Sequence, residues 1–179
     1  MKTVLFVLRL ALTLLAITAV VAVALAGVNM ITAPAIAELN AQNTQAAIEA
    51  VLPGGGEELA SFPAVNLVSK VYASDAGYAV QVTPGGFDNT ITMMVGVDKS
   101  GNVLGIDVIS HTETAGLGAV SDADTPAGIA FREQFMGATG SVSVTKDGGQ
   151  MDAITGATIT SRAVCAGVNA ALECVAQMG

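Results

Sequence analysis

The sequence has few of the residues that build nucleic-acid surfaces or metal sites. Of its 179 residues, 12% are charged and 4% are aromatic, and there is no tryptophan. The seven Lys and Arg are outnumbered by 15 Asp and Glu, which excludes a basic, aromatic-lined groove for nucleic acid. A single histidine and two cysteines without a CxxC pair make a protein-built zinc or iron–sulfur site improbable, so no metal ligands are assigned.

The two cysteines, Cys165 and Cys174, lie in one segment with helical periodicity. On a helix they point to opposite faces and are separated by about 13 Å along the axis. That distance is beyond the reach of a disulfide. We therefore expect both to be buried as small apolar side chains.

Charge is also missing from a long N-terminal run. Residues 10–31 contain no charged side chain, and as a helix they would measure about 33 Å, close to a bilayer core of roughly 30 Å. Lys2, Arg9 and the Ala24-Leu25-Ala26 triplet would also suit a cleaved signal peptide, but we favour a retained transmembrane anchor over residues 1–31. In both interpretations the positive charges keep the N-terminus cytoplasmic and the rest of the chain outside.

Beyond the apolar run, the patterns predict an α+β fold. Residues 32–56 are expected to form a juxtamembrane helix and linker ended by Pro53 and three glycines, and residues 57–179 a small domain. Alternating segments predict antiparallel hairpins over 65–73 with 77–83 and over 91–98 with 102–111, and a strand over 141–146. Flanking helices are predicted over 126–135, capped by Thr125 or Asp124, and at the C-terminus, capped by Thr160 or Ser161.

Two side chains in the third predicted strand test how the sheet is buried. Met93 and Met94 are neighbours and fall on opposite faces of a strand. We therefore expect at most one of them to lie in the core.

The segment Asp152 to Ser161 concentrates hydroxyl groups and small residues just before the C-terminal helix. The start of a helix presents free N–H groups with partial positive charge, and glycine lets an anion approach the backbone. From these residues alone, a phosphate site and a richly furnished helix cap are equally good interpretations.

The order of motifs resembles one family. The run Thr155-Gly156-Ala157-Thr158-Ile159-Thr160 is similar to the S/T-G-A-T/S-x-T signature of the FMN-binding domain, which is shared by the G-named component of Rnf electron-transport complexes and the C-named component of the sodium-pumping NADH:quinone oxidoreductase. The segment from His111 to Gly118 resembles the family's H-x-E-T-P-G-L-G loop, with Ala115 in place of the proline, and Phe131 to Gly137 resembles F-x-x-Q-F-x-G. The segment 84–89 matches the family's G-Y-x-G only loosely.

The resemblance implies the cofactor and its contacts. One FMN per chain is expected on Thr160 through a phosphoester, attached by a flavin transferase that recognises the motif with its upstream aspartate, Asp152. Further contacts are expected from matching positions: Thr155, Gly156, Ala157, Thr158, Glu113, Thr114, Leu117 and Gly118, with Lys146 as a phosphate or ring neighbour. No residue is assigned a catalytic acid–base role.

The implied function is that of an electron-transfer flavoprotein subunit in a membrane ion-pumping redox complex of the Rnf type, a ferredoxin:NAD⁺ oxidoreductase of the inner membrane. Expected partners are a membrane-embedded flavin subunit, iron–sulfur membrane subunits, the transferase and lipid. The related flavin-bearing component of the quinone-reducing pump is the alternative of similar mechanism. A membrane-anchored module that binds another anion without redox work is the alternative from a different class.

Overall fold

A computed structural model describes residues 2–178 of the chain. It begins with helix α1 (Lys2–Val51), and the chain divides into two compact units, one up to Gln42 and one from Asn43. In the first unit large apolar side chains such as Leu14 and Val23 are 65% and 73% exposed. This helix is long and apolar enough to cross a membrane, as predicted. The side chain of Lys2, which supports the predicted orientation, lies outside the described residues.

The predicted helix after the apolar run is present and ends at Val51, just before Pro53. Its last turns belong to the second unit, which begins at Asn43 and so earlier than the predicted domain start at residue 57. The reason is packing: Ala47, Ile48, Val51 and Leu52 are at most 2% exposed and form a core cluster with sheet residues Tyr72, Ala79 and Met94.

The centre of the second unit is a five-stranded antiparallel sheet with the strands in chain order. Both predicted hairpins are present within it. The strands are β1 (Glu57–Glu58), β2 (Val68–Ala73), β3 (Gly77–Val82), β4 (Thr92–Asp98) and β5 (Val103–Ser110).

The sheet is buried on both faces, which overturns the expectation for Met93 and Met94. Met93 lies in the main core cluster beneath the C-terminal helix, and Met94 lies in the cluster formed by the end of α1. Both side chains are fully buried. The strand alternation was interpreted correctly, but a sheet with helices on both faces has two inner faces.

Helix α2 (Pro126–Glu133) is present as predicted, and Thr125 is its cap. The Thr125 hydroxyl accepts a hydrogen bond from Gly128 N at 3.3 Å. A proline at the first helical position leaves no intrahelical donor unused.

The predicted strand over 141–146 is wrong. This segment makes one bridge, between Val144 and Met151, and then a short 3₁₀ helix, Thr145–Asp147. The side chain of Asn169 takes the place of a neighbouring strand, because its amide oxygen accepts from Val142 N at 2.7 Å and its amide nitrogen donates to Val142 O at 2.9 Å.

Helix α3 (Thr158–Met178) packs on the sheet and contributes much of the main core. It begins before the predicted caps: Ser161 N donates to Ala157 O, so Ala157 occupies the cap position, and Thr160 and Ser161 lie in the first turn. Ser161 instead joins the preceding loop to the helix, since its Oγ accepts from Ile154 N and donates to Ala157 O, both at 3.0 Å. Cys165 and Cys174 are free and buried, as expected.

The contact between α1 and the sheet can be tested with two paired glycines. Gly96 on β4 faces Gly105 on β5, and a Cβ at Gly96 would clash with the backbone of Val51, whereas a Cβ at Gly105 meets nothing within 4 Å. We expect Gly96→Ala to destabilise the second unit by about 1–3 kcal/mol, the usual cost of overpacking. Urea denaturation of the detergent-solubilised chain, followed by tyrosine fluorescence, measures this.

Gly105→Ala is the matched control and should leave the urea midpoint nearly unchanged. Equal midpoints for Gly96→Ala and the wild type would contradict this packing of Val51 on β4.

Candidate functional site

The candidate site lies at the end of the sheet where Thr92, at the start of β4, pairs with Ser110, at the end of β5. In an antiparallel meander, the β3–β4 connection and the chain leaving β5 emerge at the same end. The N-terminal part of α3 is brought there because Gly167 packs against Val82 and Pro84. Three segments therefore meet: residues 84–91, 111–118 and 155–160.

The first segment is a tight loop closed on itself. Gly86 N donates to Asn89 O at 2.7 Å, and Ile91 N donates to Pro84 O at 2.9 Å. These bonds leave the amides of Phe87 and Asp88 directed towards the second segment.

The second segment is held by its own backbone. Leu117 N and Ala119 N both donate to Thr114 O, at 3.1 and 3.2 Å, and Gly116 supplies the left-handed conformation (φ +75°) that this turn requires. His111 supports the loop from β5, since its Nδ1 accepts from Glu113 N at 3.1 Å. His111 is thus the hydrogen-bonded strand-end histidine that its sequence position suggests.

The third segment leads into α3. Gly156 is left-handed (φ +78°), and a Cβ there would approach Leu117 Cδ2 to 3.0 Å. The first N–H groups of a helix have no partner within it, so those of Thr158, Ile159 and Thr160 are available to an anion.

The three segments enclose a cavity of about 230 Å³. Most of the residues that sequence analysis proposed as contacts line it: Glu113, Thr114, Leu117, Gly118, Gly156, Ala157, Thr158 and Thr160. Phe87 and Ile159 also line it and were not proposed. Thr155 and Lys146 are not among the lining residues.

The floor of the cavity is a hydrogen bond between Thr160 and Glu113. Thr160 Oγ1 donates to Glu113 Oε2 at 2.7 Å, and the two residues are only 1% and 8% exposed. The other carboxylate oxygen accepts from Phe87 N at 2.7 Å and from Asp88 N at 3.4 Å. One buried carboxylate thus joins all three segments.

Glycines leave room for this pair. A Cβ at Gly118 would clash with Glu113 Oε2 and approach Thr160 Oγ1 to 2.6 Å, and a Cβ at Gly86 would clash with Glu113 Oε1. The chain can therefore bring a carboxylate and a hydroxyl together beneath the cavity only with glycine at both positions.

Lys146 lies beside the cavity, because its Nζ donates to Thr158 Oγ1 at 2.9 Å. The 3₁₀ helix that carries it is clamped to α3 by Arg162, which donates to both carboxylate oxygens of Asp147 at 2.7 and 2.6 Å. This hydrogen bonding lowers the pKa of Asp147 below its ordinary value. A cation is therefore held at the start of α3, where an anion would bind.

Thr155 and Asp152 face a neighbouring groove rather than the cavity. Both are exposed or only partly buried at the surface, with Asp152 exposed. Gln134 on the chain after α2 fixes the backbone of Asp152, donating to its O at 3.1 Å and accepting from its N at 2.6 Å. Asp152 is thereby presented at the surface, upstream of the cavity.

The two cavity residues that sequence analysis missed share an apolar, exposed character. Phe87 is 68% exposed and Ile159 is 48% exposed. Phe87 stands in the loop whose family match was loose, and Ile159 is the unspecified position of the motif, so neither had a motif signal. An isolated phenylalanine among glycines in a chain with 4% aromatics was the available clue.

Comparison with known proteins agrees with the geometry. The family model described as FMN-binding domain matches residues 86–173, which include every residue that lines the cavity.

Individual relatives extend the match. The chain is 32% identical over 191 residues to the G-named component of the Na⁺-translocating ferredoxin:NAD⁺ oxidoreductase complex of Acetobacterium woodii, covering 93% of this chain and 90% of that protein. It is 42% identical over 97 residues to the G-named component of the ion-translocating oxidoreductase complex of Vibrio vulnificus, covering 52% of this chain and 46% of that one. The same-named component from Aliivibrio fischeri is 40% identical over 104 residues, covering 54% and 48%. The chain thus spans about half the length of the last two relatives.

The clamp between Arg162 and Asp147 predicts a pKa change. Because the folded-state pKa of Asp147 is lowered, the clamp stabilises the fold above the unfolded-state pKa of about 3.9, and this is lost as pH falls through the lowered value. Replacing Arg162 by Gln removes the charged donors, so the pKa of Asp147 should move back up towards its ordinary range. Carboxyl-detected NMR titration of the full chain in detergent measures it.

Asp98 is the internal control, since hydrogen bonds from Asn102 lower its pKa independently of Arg162. An unchanged Asp147 titration in Arg162→Gln would refute the clamp.

Proposed function

The chain belongs to the family of FMN-binding, G-named components of ion-translocating oxidoreductase complexes, and from this premise we propose that FMN is esterified to Thr160. The observation that carries the proposal is the position of the Thr160 hydroxyl, in the first turn of α3 on the floor of the family's matched cavity. The chain is then a covalently flavinylated electron-transfer subunit.

The residues present fit the phosphate end of FMN. The free N–H groups at the start of α3 and the ammonium group of Lys146 both favour a negative charge there. Gly156 and Gly118 allow the backbone to approach it closely. Thr158 Oγ1, already within hydrogen-bond distance of Lys146, lies between that cation and the cavity.

The cavity holds part of the cofactor rather than all of it. Its volume of about 230 Å³ is below the roughly 300–1,000 Å³ of pockets that bury small molecules. Phe87, Leu117 and Ile159, each at least 43% exposed, form an apolar rim suited to the flat face of a flavin ring. A shallow site of this kind retains its cofactor through a covalent bond, and it leaves the ring open to redox partners.

FMN supplies reversible electron transfer when bound, and the protein's part is to orient the ring and set the charge around it. Within the proposed complex the chain relays electrons between neighbouring redox centres, from an iron–sulfur subunit to a membrane-embedded flavin subunit. The overall reaction couples ferredoxin oxidation and NAD⁺ reduction to transport of Na⁺ or H⁺. The relatives described above are named as components of ion-translocating complexes, one of them a ferredoxin:NAD⁺ oxidoreductase, which favours this assignment over the quinone-reducing pump.

The location follows from the same proposal. The apolar part of α1 anchors the chain in the cytoplasmic membrane, with Arg9 near its cytoplasmic end and the FMN domain outside. Small residues in this segment, among them Ala22, Ala26 and Gly27, allow close packing against helices of other subunits. A domain outside the cell has no pool of cofactor to rebind, which explains a covalent attachment.

The attachment point can be tested by substitution. Chains produced together with a flavin transferase are denatured and separated by gel electrophoresis, and covalent flavin is measured by its fluorescence in the protein band. The wild type should be fluorescent, Thr160→Ala should be dark, and Thr158→Ala, with the neighbouring hydroxyl removed, should keep its fluorescence. A fluorescent Thr160→Ala band would overturn the assignment.

The orientation can be tested with one introduced cysteine. Ser100 is exposed in the turn between β4 and β5, at the end of the sheet away from the cavity. The native thiols are shielded, since burial raises the pKa of Cys165 to about 11 and also raises that of Cys174. A membrane-impermeant maleimide added to intact cells or spheroplasts should label Ser100→Cys and leave the wild type unlabelled.

Labelling of Ser100→Cys only after the membrane is permeabilised would place the domain on the cytoplasmic side and contradict the proposed location.

A further inference from the structure

We propose that Glu113 is the base that accepts the Thr160 proton when the flavin is attached. This inference rests on the proposed function, in which Thr160 is the attachment point. It departs from the sequence-based expectation that no residue does acid–base chemistry, and it assigns to the chain itself a part of the maturation reaction.

The geometry places the base on the reacting atom. Glu113 Oε2 lies 2.7 Å from Thr160 Oγ1 and accepts its proton in a hydrogen bond. That distance is within the reach required of a general base. The second oxygen, Oε1, is occupied by the amides of Phe87 and Asp88, so the carboxylate is fixed with Oε2 towards the hydroxyl.

The hydroxyl does not need this carboxylate for its own hydrogen bonding. In helices, Ser and Thr commonly donate to the carbonyl four residues earlier. Thr13, Thr18 and Thr32 do so in α1, and Ser161, adjacent to Thr160, does so in α3. Thr160 alone of these donates to a side chain 47 residues away in the sequence.

Burial of the carboxylate has a cost that its structural contacts do not require. Moving an ionised carboxylate out of water is unfavourable unless hydrogen bonds replace the lost solvation, and Glu113 is 8% exposed. The fold keeps glycine at residues 86 and 118, on either side of the carboxylate, to admit it. Such an arrangement of buried acid and buried hydroxyl is typical of an activated nucleophile.

The other groups around the cavity cannot replace Glu113 as the proton acceptor. Among the described residues that line the cavity, Glu113 is the one carboxylate. His111 Nδ1 already accepts a hydrogen bond from Glu113 N, and its Nε2 faces Asp122 at 3.7 Å. Lys146, which contacts Thr158, carries a positive charge and favours the phosphate instead.

The step balances with a flavin phosphoanhydride, such as FAD, as the donor. Thr160 Oγ attacks the phosphorus that bears the riboflavin, and a new O–P bond forms. The anhydride P–O bond breaks, and the departing nucleotide phosphate takes the electron pair. The hydroxyl proton passes to Glu113 Oε2, and no oxidant or reductant is required.

The test measures the rate of flavin attachment in a purified system. Apo chain in detergent is mixed with purified flavin transferase and FAD, and flavinylated chain is quantified over time by intact mass. Glu113→Gln keeps the shape and can still accept from Thr160 and Phe87, but it cannot take up a proton at neutral pH. We expect it to react at least about 100-fold more slowly than the wild type, the usual contribution of a general base.

The pH dependence separates a base from a positioning role. The wild-type rate should level off above the pKa of the carboxylate, whereas the Glu113→Gln rate should continue to rise with hydroxide, so the defect shrinks at alkaline pH. The groups that face Glu113, namely His111, Asp122, Asp88 and Lys146, are identical in the two chains and contribute equally. A defect that stays constant with pH would indicate a structural role and overturn the proposal.

Matched controls keep the outcomes distinct. Glu133→Gln, at the end of α2 and away from the cavity, should react at the wild-type rate. If Glu113→Gln does not give a native tyrosine circular dichroism spectrum, Glu113→Asp replaces it, since its shorter side chain withdraws the carboxylate from Oγ1 and should slow the reaction at least about tenfold. A wild-type rate in the folded variant overturns the proposal.

Thr160→Ala separates the two levels of inference. If it acquires no flavin while Glu113→Gln reacts normally, the role of Glu113 is wrong and the attachment point stands. If Thr160→Ala is itself flavinylated, the proposed function fails first.

Discussion

The site depends on one buried carboxylate and the hydrogen bonds that it must have. Glu113 receives hydrogen bonds from Thr160 in α3 and from two amides of the loop before β4, and its own amide is held by His111. Because an unpaired buried charge is costly, none of these partners can move away without a penalty. The three segments are therefore held together around the Thr160 hydroxyl, and the cavity is defined before any ligand binds.

The sheet carries this constraint into the rest of the domain. It is covered by α3 on one face and by the last turns of α1 on the other, so both Met93 and Met94 are core residues. The end of α1 thus belongs to the same compact unit as the site. In the proposed complex, the segment that leaves the membrane is part of the flavin domain and not a separate linker.

Much of this arrangement could be predicted from local patterns. The apolar run, the two hairpins and the start of α2 have strong signals of periodicity and capping, and the motif residues identified most of the cavity lining. What failed depended on partners distant in sequence. Asn169 replaces a strand beside Val142, and the last turns of α1 bury the second face of the sheet. Phe87 enters the site because the loop that carries it donates to Glu113, which no spacing rule foretells.

The central claim is that a hydroxyl on the floor of this cavity carries the flavin, and peptide mapping of the natively matured chain tests it most directly. Proteolysis followed by fragmentation mass spectrometry should find one FMN, less one water, on the peptide that contains residues 155–160, with the fragment series placing it on Thr160. Unmodified Thr160 in a chain that carries covalent flavin elsewhere, or no added mass in the matured chain, would contradict the account.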